Sequence, residues 1–417
     1  MQFSKPSQDY VSLVFDKYSN CMTETNQDIH KRTHMLFDKL FLEIKDADKY
    51  VKRMKASNCF TRTIQHIETS TQMQLPTVYN STFFPSIVKE HILLNTIKCI
   101  KYSCSVNDRK INILFHLYKI DEDISKYDRY ATMAYMLIYV ISLYSSSVCA
   151  KELNIFIYLT NFRKLLPETN YEILSSENVN TGFTTSCSYS GEIVIYRKEE
   201  WFKVLIHETF HIFGLDFSNF DQRTINHKIK TLYPINSNFR VYEAYCEIWG
   251  RMLNAMFISY FMLDNKNNQE AFYLYWECLI QLERIYALYK CQTVLEYMGL
   301  TYEDLYSDNE VSKTARDNLY KEHTNVFSYY ILTTVLLNNY IGFLEWCNDN
   351  NLELIKFNRT QRNIDSFFDF IKINYNSKNL LDAFKCINDY NEKYKSKSIQ
   401  LTELLKKSLR MSLLEFY

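Results

Sequence analysis

Apolar and polar positions along the chain change period in an order that outlines the fold. From Gln27 to about Lys55 a highly charged stretch carries Ile29, Leu36, Leu40 and Ile44 at helical spacing, which predicts a long amphipathic helix. Pro76 and Pro85 interrupt that pattern. Two extended runs follow, Thr96 to Ser105 and Lys110 to Tyr118. In the second, Ile111, Ile113, Phe115 and Leu117 alternate at period two, and Asn107-Asp108 supply a turn, so a hairpin is predicted. A helix from about Ile124 to Ser145 comes next, then a strand from Asn154 to Thr160, a polar loop holding Thr181-Gly182, and the strand-like run EIVIYR ending at Arg197. Glu199 to about Phe213 is helical again. Beyond Val241 nearly everything reads as helix, up to a last one in which Leu401, Leu405, Leu409 and Leu413 recur every four residues. The predicted class is α+β, helix-dominated, with a small mixed sheet backed by helices.

Composition agrees with that pattern and narrows the function. Only six Gly and five Pro occur in 417 residues, so few positions break helices. The length exceeds what one small core needs and implies two or three packed units. Basic and acidic residues balance at 48 each, and no local basic patch stands out, so binding to nucleic acid or to an anionic membrane is not expected. Tyr130 to Ala150 and Thr324 to Leu344 lack charge over the length of a bilayer span. Ser and Tyr dilute the first, and Asn338-Asn339 would be costly in lipid in the second, so both are read as buried helices. The first twenty residues contain charges that a secretory leader would not tolerate, and a protein that is not secreted is expected. The eleven cysteines show no C-x-x-C spacing, which predicts reduced thiols in a cytoplasmic compartment.

The chemistry is concentrated in WFKVLIHETFHIFGLDFS. His207, Glu208 and His211 form H-E-x-x-H, and four residues on a helix return to within about 40° of the starting direction, so both imidazoles leave one face. Glu208 stands about 100° round from His207, beside the coordination position that a catalytic zinc keeps open, where a general base is needed. The motif lies among Val204, Leu205, Ile206, Phe210, Ile212 and Phe213, a frame too apolar to bury such a cluster without a metal or partners. His30 and His34 share the spacing, but Lys31 and Arg32 beside them oppose a divalent cation, and that pair reads as a solvated helix face.

A third protein ligand sorts the possibilities. Phe217 stands where a metzincin would have its third histidine, and a phenyl ring cannot coordinate. Asp216 would point away if the helix continued, so a capping role or a hydrogen bond to a ligand is expected of it. In RVYEAYCEIWGRMLNA, Glu243 and Glu247 are four apart on a helix apolar nearly all round. One carboxylate can bind the metal while the other holds a histidine ring, with Glu243 preferred as ligand. Cys246 and His227 are the residues able to close a fourth position, and Tyr233, Tyr242 and His227 are candidate oxyanion stabilisers.

HETFH followed some thirty residues later by EAYCE resembles the gluzincin branch of zincin metallopeptidases, in its lethal-factor form. The resemblance implies a zinc cofactor (Zn2+) on His207, His211 and Glu243, Glu208 as general base and Glu247 in support. GEIVIYR is similar to the zincin edge strand that pairs with an extended substrate. VNTGFTT and the segment after it also look like metallopeptidase-like proteins of nucleocytoplasmic large DNA viruses. The implied layout is a zincin-like core over 91–263 between helical regions 1–90 and 264–417, with a cleft between the HETFH helix and the helices from Val241 onward. The implied activity is hydrolysis of a peptide or protein substrate, in host cytoplasm or virion if the source is viral. The alternative is an inactive protein in which zinc only clamps helices, for example a virion component.

Overall fold

The structure is a computed structural model that describes residues 3–22, 27–57, 59–395 and 406–416. Helices α1 (Lys5–Tyr18) and α2 (Gln27–Ala56) precede strand β1 (Thr61–His66), helix α3 (Ser86–Asn95) and strands β2 (Lys98–Val106) and β3 (Arg109–Leu117). Then come α4 (Ile124–Tyr144), β4 (Glu152–Thr160), the single turn α5 (Ser176–Val179), β5 (Gly182–Thr184) and β6 (Ser190–Arg197). The six strands make one mixed sheet in the order β1-β2-β3-β4-β6-β5. β3, β4 and β6 are parallel, while β1, β2 and β5 each run antiparallel to a neighbour. The β2–β3 hairpin turns on Asn107 and Asp108, whose φ of 44° and 60° give the left-handed pair that such a turn requires and that Asn and Asp tolerate.

The rest is helical: α6 (Trp201–Ile212), α7 (Arg223–Leu232), α8 (Val241–Met262), α9 (Gln269–Met298), α10 (Glu310–Leu319), α11 (Thr333–Asn338), α12 (Tyr340–Asn350), α13 (Gln361–Asn374) and α14 (Lys378–Lys395). A π-helical stretch, Phe327–Leu332, runs into α11. The α+β, helix-dominated class read from the sequence is the class observed. Period-two alternation explains how the sheet carries two cores. Ile111, Ile113, Phe115, Ile155, Ile157, Ile193 and Ile195 face the main helical layer, and Leu114, Phe156, Tyr158, Val194 and Tyr196 face a smaller cluster closed by Phe84, Val88 and Ile92. Buried side chains from 1–90, 91–263 and 264–417 all enter the larger cluster. The two uncharged stretches are mostly buried, and among the described residues no helix is long and apolar enough to cross a membrane.

Three expectations are corrected. Cys21 pairs with Cys386 and Cys149 with Cys187, so four of the cysteines are not reduced thiols. A search for C-x-x-C sees only local pairs, whereas these partners are 365 and 38 residues apart and meet through tertiary packing. GEIVIYR is not an edge strand: β6 lies between β4 and β5, and the three-residue β5 forms the edge. The final leucine repeat is not a helix where it is described, since Leu409 and Leu413 lie in a non-helical tail with both side chains buried. Leu401, Leu405 and the side chains of His30 and His34 lie outside the described residues.

Candidate metal centre

Helix α6 carries the H-E-x-x-H motif and is buried along almost its whole length, packed on β5, β6 and α8. Its N-cap is Glu200, in the left-handed region at φ 60°. Its end is set by Gly214, at φ +66°, where a Cβ would come within 3.2 Å of Arg359 Nη2 and of Cys149 Sγ. That turn reverses the chain and brings Asp216 back beneath the helix, with Arg359 donating to the carbonyls of Gly214 and Asp216 at 2.8 and 2.7 Å. Thus Asp216, which a continuing helix would have carried away, reaches His211.

His207, His211 and Glu243 converge, each offering a ligand atom within 4.8 Å of the other two. His207 Nε2 is 3.1 Å from Glu243 Oε2 and 3.3 Å from His211 Nε2, and His211 Nε2 is 3.5 Å from Glu243 Oε2. Behind each ring stands a carboxylate. His211 Nδ1 lies 2.5 Å from Asp216 Oδ2, and His207 Nδ1 lies 3.2 Å from Glu247 Oε2, the latter at an angle short of a good hydrogen bond. Glu247 is itself gripped by Lys203 Nζ at 2.9 and 3.0 Å and by Arg251 Nε at 3.0 Å. Glu208, 7 % exposed, lines the same small cavity as His207. The five motif residues and Asp216 are therefore gathered on α6, α8 and the turn between them.

Burial and charge set the protonation of this cluster. Burial works to raise the carboxyl pKa of Glu243, but His211 and His207 outweigh it and hold the group below the usual range. Burial likewise opposes ionisation of Glu247, and Lys203, His207 and Arg251 reverse the balance. Burial also works against charge on both imidazoles. The nearby carboxylates of Glu243 and Glu247 raise His207 nonetheless, and Cys246, Asp216 and Glu243 raise His211 well above its ordinary value. Burial raises Glu208, which keeps more affinity for a proton than a solvated glutamate. Two imidazole nitrogens and one carboxylate oxygen, with a second carboxylate behind each ring, are a donor set suited to zinc, since magnesium and calcium favour all-oxygen shells.

The other sequence candidates fall elsewhere. Cys246 is buried at 3.8 Å from His211 Nδ1 and 3.7 Å from Asp216 Oδ2, on the far side of the ring from Glu243, and so is not placed as a fourth ligand of the triad. His227 is exposed on α7. Tyr233 shares a hydrogen bond with Tyr302 at 2.6 Å in the packing of the C-terminal helices. Tyr242 places its ring 5.9 Å from that of His211. The residue that sequence reasoning missed is Tyr329, whose hydroxyl donates to Glu243 Oε2 at 3.1 Å and whose ring lies 5.8 Å from His207. It comes from the π-helical stretch, and such bulges recur at functional sites, but no local pattern in this uncharged segment marks it.

The chain resembles a protein of Acanthamoeba polyphaga mimivirus, Uncharacterized protein R210, with 26 % identity over 199 residues, or 47 % of each chain. It thus spans about half the length of that relative. No protein-family model matches the chain, and no solved structure matches it. The link that stands is to a viral protein, without an activity attached.

Proposed function

We propose that the chain is a zinc-dependent metallopeptidase of the gluzincin kind. The observation that carries this reading is the convergence of His207, His211 and Glu243 beside a cavity lined by Glu208. Three protein donors leave a coordination position for water, the arrangement of catalytic sites, whereas a structural site is closed by a fourth protein ligand. Bound there, zinc would lower the pKa of a water towards ~7 and polarise the scissile carbonyl.

The remaining work falls to side chains. Glu208 accepts a proton from the attacking water and returns it to the leaving amine, a task favoured by the upward shift that burial imposes on its carboxyl. Tyr329 keeps its proton because burial holds its pKa well above 10.0, so its hydroxyl, on turning from Glu243, can donate to a developing oxyanion. The short edge strand β5 offers backbone groups to an extended peptide.

The test is elemental analysis of purified protein together with His207→Ala, Glu243→Ala and Glu208→Gln. One zinc per chain, lost in the first two variants and kept in the third, is expected, with peptide cleavage abolished in all three. Folded protein that takes up no zinc even after reconstitution would overturn the proposal and favour a helical interaction protein.

A further inference from the structure

The tail that replaces the predicted last helix reaches the candidate metal centre. Leu409 N donates to Lys164 O at 2.9 Å, and Tyr330 donates to Leu409 O at 2.6 Å. Glu200, the left-handed N-cap of α6, accepts from the amides of Met411 and Ser412 at 3.0 and 2.5 Å. Glu283 accepts from the amides of Leu413 and Leu414 at 3.1 and 3.2 Å. These bonds use backbone groups, so they fix the path of the tail whatever side chain stands at 411. That side chain is 4 % exposed, lies with its sulfur 3.7 Å from Lys203 Nζ, and forms part of the wall of the cavity shared by His207 and Glu208.

This cavity measures ≈ 20 Å³, about enough for one water molecule. Val204 of α6 faces it, as do Thr181 and Gly182 at the start of β5. The edge cannot draw back readily, because a Cβ on Gly182 would already sit 2.7 Å from Val194 O and from Ile195 Cδ1. The Thr181 hydroxyl, 2 % exposed, has no hydrogen-bond partner among the described residues. A buried hydroxyl left unsatisfied is costly, and one lining a cavity beside a metal-ligand cluster calls for a ligand or a water.

We infer that Met411 is a specificity-determining residue: with Val204 it closes the side-chain pocket next to the scissile bond and restricts it to glycine, alanine or serine. The inference rests on the metallopeptidase reading. Its physical basis is volume, since a methyl or hydroxymethyl group can replace the water, and an isobutyl group cannot enter without displacing the tail or the helix. A serine hydroxyl would also satisfy Thr181.

The experiment uses the zinc-loaded full chain and a series of peptide-like hydroxamates identical except for the side chain beside the metal-binding group: hydrogen, methyl or isobutyl. The methyl compound is expected to bind at least about tenfold tighter than the isobutyl one, and Met411→Ala is expected to narrow or invert that ratio by about tenfold. Val204→Ala opens the same pocket from the helix side and supplies the same readout if the tail variant does not fold. Equal affinities for methyl and isobutyl in the unaltered protein, or an unchanged ratio in both folded variants, would overturn the assignment of Met411 while leaving the metallopeptidase reading intact. Failure of every member to bind with zinc in place would overturn the open metal position, and the pocket with it.

Discussion

His207 and His211 can serve as ligands only if each ring is turned so that Nε2 faces Glu243. Asp216 holds His211 that way from behind, while Glu247 stands 3.2 Å behind His207. Asp216→Asn removes the charge that holds His211 Nδ1, and a loss of about 10–100-fold in zinc affinity is expected by chelator competition. An unchanged affinity would mean that the contact does not orient the ring. Tyr329→Phe keeps the ring packing and removes one donor. Zinc content should be unaltered, and kcat on a cleaved peptide should fall about 10²–10³-fold. A kcat within twofold of the unaltered protein would remove Tyr329 from the mechanism. At this scale the sequence was informative where chemistry is local: His207, Glu208 and His211 share one helix, as do Glu243 and Glu247. Tyr329 was hidden because 86 residues separate it from the carboxylate it touches.

At the scale of elements, the tail of residues 408–416 is held by two buried groups that titrate in opposite senses. Burial pushes Glu283 from 4.5 up to about 7. The folded protein therefore keeps a proton that the unfolded chain has already lost, and stability falls as pH rises through that interval. Lys290 donates to Ser408 O at 2.7 Å, and burial lowers its pKa from 10.5 to about 7. Here the folded protein sheds its proton first, so stability rises with pH from about 7 to about 10.5. Glu283→Gln is expected to flatten the decline below pH ~7 and to leave the rise above it, as read from Tm across the pH range. A variant whose Tm declines as steeply as the unaltered protein's would show that Glu283 does not carry the effect. The leucine spacing misread this element because residues buried on every side need no helical stripe.

The whole molecule is tied by links that no local window contains. Cys149–Cys187 closes a 38-residue loop and packs against the Gly214 turn that delivers Asp216, while Cys21–Cys386 joins the first helical region to the last. Denatured, unreduced protein should present seven reactive thiols of its eleven cysteines. Replacing Cys149 and Cys187 with Ser should cost about 2–4 kcal/mol in denaturant unfolding. Eleven reactive thiols before reduction would remove both crosslinks from the account.

By itself the sequence determined what depends on spacing within one element: the hairpin with its Asn107-Asp108 turn, the helix-dominated α+β class, and the alignment of His207 with His211 and of Glu243 with Glu247. Tertiary structure alone decided which strand forms the sheet edge, how Gly214 returns Asp216 to His211, which cysteines pair, and that Tyr329 and Met411 line the cavity beside His207 and Glu208. The division has one physical cause. Periodicity records which face of an element is buried, whereas the partner that buries it is chosen by packing between residues far apart in the chain.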